Sequence, residues 1–349
     1  MSIAQWLIDG ANRGDANCQI SIGYKYYTGD GVTKSYSDAA KWFRKAADQG
    51  SSKGQKNLAL LYYNGEGVKK SYPDALYWFK KAADQGDVDA QESLTVMYYM
   101  GEGTSKSYSN ALIWAKKASA QGNDYTKAIM GLIYYYGGNG VEKSYPDALR
   151  CFMDVSHKEH VAQLGLGMMY YKGRGVIQSD SEALKWFRRA SDNGIYDDCS
   201  FLGEMYRDGR GVTQSDAEAL RLFMKAAAKD ITGAQNNLGK MYRDGRGVTQ
   251  SDTEAVNWFR KAAIKDHSGA QFNLSMMYRD GRGVAKSNNE AMNLLKKSVN
   301  QGDDEAQNYY GEMYRDGRGV AQSDTEAVNW FREAAIKDHS GAQLSFCQM

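Results

Sequence analysis

The sequence predicts an all-α protein, a superhelical α/α solenoid of about nine 36-residue helix–loop–helix repeats, and three observations predict it. A Gly-x-Gly pair begins at Gly29, Gly65, Gly101, Gly138, Gly173, Gly209, Gly245, Gly281 and Gly317, at steps of 36, 36, 37, 35, 36, 36, 36 and 36. Tyrosine recurs just ahead of every one of these loops, from Tyr26 and Tyr62 to Tyr278 and Tyr314. All seven tryptophans (Trp6, Trp42, Trp78, Trp114, Trp186, Trp258 and Trp330) share one position of the same grid. At 349 residues the chain exceeds what one compact core serves, and with 2 prolines it can carry many helices.

The first helix of a unit is exemplified by 270–278, where Ala270, Leu274, Met277 and Tyr278 fall on one face at i, i+4, i+7 and i+8. It ends at Gly281-Arg282-Gly283, because glycine takes the left-handed conformation that closes a helix C-terminus. The second helix opens with a serine three residues before an acid, as in Ser179 to Glu182, Ser215 to Glu218, Ser251 to Glu254, Ser287 to Glu290 and Ser323 to Glu326. That is capping-box spacing. Earlier units use Ser35 to Asp38, Ser71 to Asp74 and Ser144 to Asp147, with Ser107 to Asn110 the weaker form. Pro73 and Pro146 lie in the first turn, where a missing N–H costs little. Ala255, Trp258, Phe259 and Ala262 form the inner side of the second helix. Trp258→Ala is therefore expected to cost about 3–5 kcal/mol. A unit this small cannot bury its face alone, so neighbours stack in one dimension.

The ends fit the same grid. Residues 1–14 read as an N-terminal half-repeat, 15–340 as nine repeats and 341–349 as a truncated half-repeat, with one irregularity at 137–162. Neither end is a polar cap, which leaves end-to-end self-association open.

Charge is nearly balanced, 44 basic against 42 acidic residues, so no general attraction to nucleic acid or anionic membrane is expected. Mean hydropathy is −0.64 and no apolar run approaches the length of a spanning helix. The N-terminus lacks a basic and apolar leader, so a cytoplasmic protein is expected. Cys18, Cys151, Cys199 and Cys347 have neither metal-ligand nor disulfide-framework spacing.

The motif Ala-Gln-x-x-Leu-Gly-x-Met-Tyr, Gly-x-Gly-Val, Ala-x-x-Trp-Phe-x-x-Ala-Ala is almost complete in residues 234–263, and it resembles the Sel-one-like repeat (SLR) family, relatives of the tetratricopeptide repeats. Departures are Thr104 for the loop valine, the insertion at Gly137, the rewritten stretch 154–161, and Leu222 and Leu294 for tryptophan. The cysteines of the disulfide-bearing secreted members are missing. The resemblance implies a right-handed α/α superhelix whose first helices line a concave groove, serving as an adaptor in bacterial signalling, host interaction or complex assembly.

In tetratricopeptide relatives the groove positions match two series here. The last position of the first helix runs Tyr27, Tyr63, Tyr99, Tyr135, Tyr171, then Arg207, Arg243, Arg279, Arg315. Three residues earlier stand Tyr24, Leu60, Val96, Leu132, Met168, then Glu204, Lys240, Met276, Glu312. The strip is expected to bind a partner protein or peptide, aromatic in the first five units and arginine-rich in the last four. The loops change in step, from Asp30, Glu66 and Glu102 to Arg174, Arg210, Arg246, Arg282 and Arg318. Two plainer readings compete: the tyrosines as further core between first helices, and the arginines as pairs with the following Asp208, Asp244, Asp280 and Asp316.

No catalytic residue, cofactor or metal site is expected. The Gly-x-Gly loops follow helices and lack the Lys-Ser/Thr of a phosphate loop. His157 and His160 have no third ligand nearby in sequence. His267 and His339 stand by the turn between units, where solvation is expected. Residues 247–271 and 319–343 differ only at Thr249/Ala321 and Lys261/Glu333, poor ground for a unique catalytic centre. The function expected is a non-catalytic scaffold or adaptor. The alternatives are a dedicated binder, such as an immunity protein neutralising a toxin, and a hydrolase at the repeat break around Cys151, Asp154, His157 and His160.

Overall fold

A computed structural model describes residues 3–192 and 196–335. Nineteen helices and no strand are found among the described residues. After α1 (Gln5–Asn12), first and second helices alternate: α2 (Ala16–Thr28), α3 (Tyr36–Asp48), α4 (Ser52–Asn64), α5 (Tyr72–Asp84), α6 (Val88–Met100), α7 (Tyr108–Ala120), α8 (Asp124–Tyr136), α9 (Tyr145–Val155) and α10 (His160–Lys172). The alternation continues with α11 (Asp180–Asp192), α12 (Tyr196–Asp208), α13 (Asp216–Ala227), α14 (Thr232–Asp244), α15 (Asp252–Ile264), α16 (Ser268–Asp280), α17 (Asn288–Asn300), α18 (Asp304–Asp316) and α19 (Asp324–Ala335). The chain divides into two compact units, Met1–Gln178 and Ser179–Met349. Within each, a helix packs on its chain neighbours, and a first helix also meets the next first helix, as α2 meets α4 and α16 meets α18. The sequence-expected truncated half-repeat 341–349 lies outside the described residues.

Local chemistry sets the boundaries. The hydroxyls of Ser35, Ser71, Ser107, Ser215, Ser251 and Ser287 each accept a hydrogen bond from the backbone N–H three residues on, so Ser107 caps α7 as fully as the others. The same serines donate their own N–H to the carbonyl of the recurring tyrosine, for example Ser71 to Tyr62 at 2.9 Å, which closes the loop. Gly65 takes φ +77° at the end of α4, and its N–H bonds Leu61 O at 2.8 Å. The irregular repeat departs here: Gly138 and Val141 exchange backbone hydrogen bonds of 2.7 and 3.1 Å, and α9 is shortened to 11 residues.

The core departs from expectation at its largest side chain. Trp258 is only half-buried, with Lys261 Nζ 3.9 Å from its ring centroid. The neighbouring Phe259 is fully buried, as are Phe43, Phe79, Phe152, Phe187, Phe223 and Phe331. The phenylalanine explains the glycine in the first helix: a Cβ on Gly239 would stand 2.4 Å from the Phe259 ring, and Gly23, Gly203 and Gly311 meet Phe43, Phe223 and Phe331 in the same way. Where the ring is lost, the glycine is too. Ala115 is matched by Thr95 and Leu295 by Ser275, and both of these first-helix residues are fully buried. The expected 3–5 kcal/mol therefore belongs to Phe259, because a side chain still touching water loses less on truncation.

A second device was not anticipated. The glutamine of the Ala-Gln motif is buried and donates to the carbonyl at the end of the preceding second helix, as Gln55 does to Ala47 O at 3.3 Å and Gln91 to Ala83 O at 3.2 Å. Its Oε1 accepts from a glutamine 30 residues on: Gln49 to Gln19 at 2.8 Å, Gln85 to Gln55 at 2.8 Å, Gln121 to Gln91 at 3.0 Å and Gln301 to Gln271 at 2.9 Å. These bonds satisfy a buried amide that would otherwise destabilise the fold.

Candidate functional site

The strip positions sit on the first helices, and their surroundings differ between the two units. In residues 1–178 four of the five strip tyrosines pack on the tyrosine that opens the second helix of their own repeat. Tyr27 lies on Tyr36, Tyr63 on Tyr72, Tyr99 on Tyr108 and Tyr135 on Tyr145, with ring centroids 5.1, 5.2, 5.4 and 5.7 Å apart. The hydroxyl then donates to the loop carboxylate of the next repeat, Tyr27 to Glu66 at 3.2 Å and Tyr63 to Glu102 at 2.7 Å. Tyr135 is 2% exposed, and Arg174 donates to its hydroxyl at 3.4 Å. Burial, with the Glu102 carboxylate next, pushes the Tyr63 phenol up to about 12. Burial likewise raises Tyr27, Tyr99 and Tyr135. Tyr171 is half-buried.

The position three residues earlier is the more open one. Tyr24 is 45% and Leu60 40% exposed, whereas Leu58, Ala59 and Leu61 beside the latter are buried. Val96, Leu132 and Met168 are half-buried. Leu60, Tyr63, Glu92 and Val96 line one depression of about 170 Å³ with Phe79 at its base. The Tyr24 hydroxyl donates to Asn57 Oδ1 at 2.9 Å, while the buried Asn57 Nδ2 has no partner among the described residues.

In residues 179–349 three of the four strip arginines, Arg207, Arg243 and Arg279, are held from two sides. All four grip the aspartate that follows: Arg207 with Asp208 at 2.7 Å, Arg243 with Asp244 at 2.7 Å, Arg279 with Asp280 at 2.6 Å and Arg315 with Asp316 at 2.8 Å. Arg207 and Arg243 also donate to Asn237 and Asn273 of the next first helix, at 3.1 and 3.0 Å, and Arg279 donates to the Tyr309 hydroxyl at 2.8 Å. These guanidiniums hold all four carboxyls below the usual carboxylate range. The loop arginines make a second series, Arg210, Arg246 and Arg282 reaching Asp180, Asp216 and Asp252, the first residues of second helices. Between α16, α17 and α18 lies a cavity of about 630 Å³ lined by Met276, Arg279, Met292, Leu295, Tyr309 and Arg318 among others.

The repeat break carries Cys151, Asp154, His157 and His160. Cys151 is buried, and burial pushes its thiol up, away from the nucleophilic thiolate. His157 is exposed, and Asp154 is paired with Lys127 at 2.6 Å. Among the described residues no group of three or more His, Cys, Asp or Glu could hold a metal ion. No described helix is long and apolar enough to cross a membrane. His267 is half-buried rather than solvated: its Nδ1 accepts from Ala270 N at 3.2 Å and caps α16, and burial holds its pKa below the ordinary value. His339 lies outside the described residues.

Comparison with known proteins places this architecture. A family model described as Sel1 repeat matches residues 16–51, 52–87, 88–123, 128–152, 160–195, 198–231, 232–267, 268–303 and 304–339, the shortest match falling on the irregular repeat. No curated protein matches the chain. A protective antigen present in uropathogenic Escherichia coli strains, displaying an SLR fold, is 34% identical over 98% of this chain and 73% of its own, with a TM-score of 0.58. A Sel1 repeat protein from Oxalobacter formigenes is 29% identical over 88% of this chain and 90% of its own, with a TM-score of 0.58. An immunity protein from Pseudomonas aeruginosa is 18% identical over 62% of this chain and 82% of its own; its TM-score of 0.38 carries no argument about what this chain binds. With all nine matches in register with the helix pairs, the chain belongs to the Sel1 repeat family.

Proposed function

We propose that the chain is a non-catalytic protein-interaction scaffold, working in the cytosol, that holds a partner protein or peptide along the exposed strip of its first helices. One observation carries the reading: apolar side chains at a single repeat position, Tyr24 and Leu60, stand 45% and 40% exposed on helices whose other leucines and isoleucines, Ile20, Ile22, Leu58 and Leu61, are buried. The depression shared by Leu60, Tyr63 and Val96 gives that strip relief into which a partner side chain fits. The flanking tyrosines and arginines are tied into contacts between repeats, so they supply a rigid wall more than free donors. Repeat arrays bind through such extended faces. The raised Cys151 thiol supports a non-catalytic reading over a hydrolase at the break.

The test is affinity capture with quantitative mass spectrometry, using the full chain and a Tyr24→Ser, Leu60→Ser double variant. Both positions are exposed enough for the variant to keep its fold, which circular dichroism checks. Partners captured by the parent are expected to be lost by the variant; an unchanged partner set from a folded variant sinks the strip. One stoichiometric partner identifies a dedicated binder, and several sub-stoichiometric ones an adaptor.

A further inference from the structure

The 630 Å³ cavity stands where a repeated ion pair lacks its carboxylate. In three successive repeats the loop arginine meets an aspartate that opens a second helix: Arg210 with Asp180 at 2.6 Å, Arg246 with Asp216 at 2.7 Å, Arg282 with Asp252 at 2.7 Å. At the fourth repeat the arginine remains, as Arg318, but the residue opening α17 is Asn288. A neutral carboxamide offers no charge to pair. Arg318 turns instead to Asp316, at 3.0 Å, and more distantly to Glu312, at 3.7 Å, and its side chain is 53% exposed.

The backbone follows the charge. A Cβ on Gly211, Gly247 or Gly283 would lie 2.7, 2.8 or 2.2 Å from the backbone of the aspartate opening the second helix. On Gly319 it would first meet the Met313 methyl at 3.4 Å, so this loop stands off α17. The apolar filling is reduced at the same place, because Leu294-Leu295 stands where α15 has Trp258-Phe259. The outcome is a cavity with an arginine at its rim and Met276, Met292, Leu295 and Met313 as its floor. Arg279 and Arg318 lie over the Tyr309 ring, 5.4 and 6.0 Å from its centroid, which fixes both guanidiniums beside the opening.

We propose that this cavity is a docking site for an acidic–apolar segment of a partner protein. An Asp or Glu side chain of the partner takes the place on Arg318 that Asp180, Asp216 and Asp252 take on their arginines. A neighbouring Leu, Met or Phe of the partner enters the methionine-rich floor. Charge complementarity selects the carboxylate, since three loop arginines meet an aspartate opening a second helix, whereas Arg318 has neutral Asn288 at that place and among the described residues pairs only with Asp316 and Glu312 near its own loop. A side-chain carboxylate, rather than a chain terminus, is the group whose place is open. Unbranched methionines adapt to varied apolar side chains, and the volume suits one or two of them. This inference rests on reading the chain as a protein binder and adds one contact to it, distinct from the strip at Tyr24 and Leu60.

The experiment uses the full chain and fluorescein-labelled, C-terminally amidated nonapeptides in a Gly/Ser background. Each carries one Asp or Glu and one Leu, Met or Phe at varied spacing, with Asn or Gln counterparts as controls. Fluorescence anisotropy is expected to show acidic members binding about tenfold tighter than their amide counterparts, the worth of one charge-assisted bond. Arg318→Gln is expected to abolish that preference. Asn288→Asp abolishes it too, by restoring the pair within the chain, and raises the urea midpoint, so misfolding is not its cause. The proposal is overturned if no acidic peptide is preferred to its amide, or if the preference survives in both variants. Preference for peptides with a free C-terminus over amidated ones overturns the side-chain assignment. Capture by the strip is read with Tyr24 and Leu60, so either site can fail while the other stands.

Discussion

Residues 1–178 and 179–349 solve one problem, joining repeat to repeat, with different chemistry. The first unit uses a tyrosine on the first helix, a tyrosine opening the second helix, and a loop glutamate that accepts a phenol hydrogen bond, as in Tyr63, Tyr72 and Glu102. The second uses arginine, aspartate and a loop arginine at the same three positions, as in Arg207, Asp216 and Arg246. The three positions change one after another along the chain, from Tyr135, Tyr145 and Arg174 to Tyr171, Asp180 and Arg210 and then to Arg207, Asp216 and Arg246. A loop glutamate facing Asp216 would repel it, whereas a loop arginine is compatible with a strip phenol, as Arg174 donating to the Tyr135 hydroxyl at 3.4 Å shows. An aromatic joint excludes water and resists salt, whereas half-exposed ion pairs are screened and individually weak. The second unit is therefore where a joint can lose a member and open a cavity.

The largest expected effect contrasts a tight joint with the open one. Gly67 has φ +68°, and a Cβ there would stand 2.1 Å from the Tyr36 carbonyl carbon, so Gly67→Ala combines backbone strain with overpacking. A loss of about 3 kcal/mol is expected. Gly319 has φ +75° but no neighbour nearer than 3.4 Å, so Gly319→Ala keeps only the strain, about 1 kcal/mol. Urea unfolding of the two variants checks the difference; equal losses would mean that the two loops pack alike.

Next come the polar bonds, which should respond to pH in opposite directions. Tyr63→Phe removes a bond to a carboxylate and is expected to cost about 1.5 kcal/mol, while Arg246→Gln, at a half-exposed pair, costs less than about 1 kcal/mol. The Tyr63 phenol ionises at about 12 in the folded chain, above its ordinary 10.0. Between these values the unfolded chain releases a proton that the folded chain keeps, so its contribution is whole below pH 10.0 and falls as pH rises. Asp244 is lowered from 3.8, chiefly by Arg243, so its contribution is whole above 3.8 and is lost as pH falls through the folded value. Urea midpoints should show the gap between parent and Tyr63→Phe narrowing in alkali, and the gap between parent and Asp244→Asn narrowing in acid. The reverse pattern would refute the division of labour.

The repeat length, helix order and serine caps were legible in the sequence because each depends on residues close in the chain. Trp258 was misplaced for the opposite reason. Helical spacing puts Trp258 and Phe259 side by side, and only the glycine facing them, Gly239, says which ring goes inward. That signal was present, since Ala115 pairs with Thr95 and Leu295 with Ser275, but it connects residues 20 apart. The change from tyrosine to arginine near residue 172 was also visible, together with the change in the loops. The third member, the residue opening the second helix, passed unremarked because its partner lies 30 residues away. The cavity at Asn288 could not be found without that member.

The glutamine bonds offer the smallest and most local test of the comparison. In the first unit every described pair, Gln19 with Gln49, Gln55 with Gln85 and Gln91 with Gln121, is complete. In the second, the residue 30 positions after Gln235 is Lys265, whose ammonium pairs with Asp230 at 2.9 Å. The buried Gln235 Oε1 is left with no partner among the described residues, although its amide nitrogen reaches Asp230 at 3.2 Å. Lys265→Gln places a donor where Gln49, Gln85, Gln121 and Gln301 have theirs, and gives up only an ion pair with Asp230 74% exposed. A buried acceptor regained outweighs an exposed pair lost, so a net gain of about 0.5 kcal/mol is expected. The same replacement at Gln85, Gln85→Lys, should destabilise by at least as much, because it would orphan Gln55 Oε1 in a joint that has no counterpart to Asp230. Urea midpoints moving in opposite directions for these two variants would establish that the second unit is held less completely for want of one amide; midpoints moving together would assign the effect to the lysine itself.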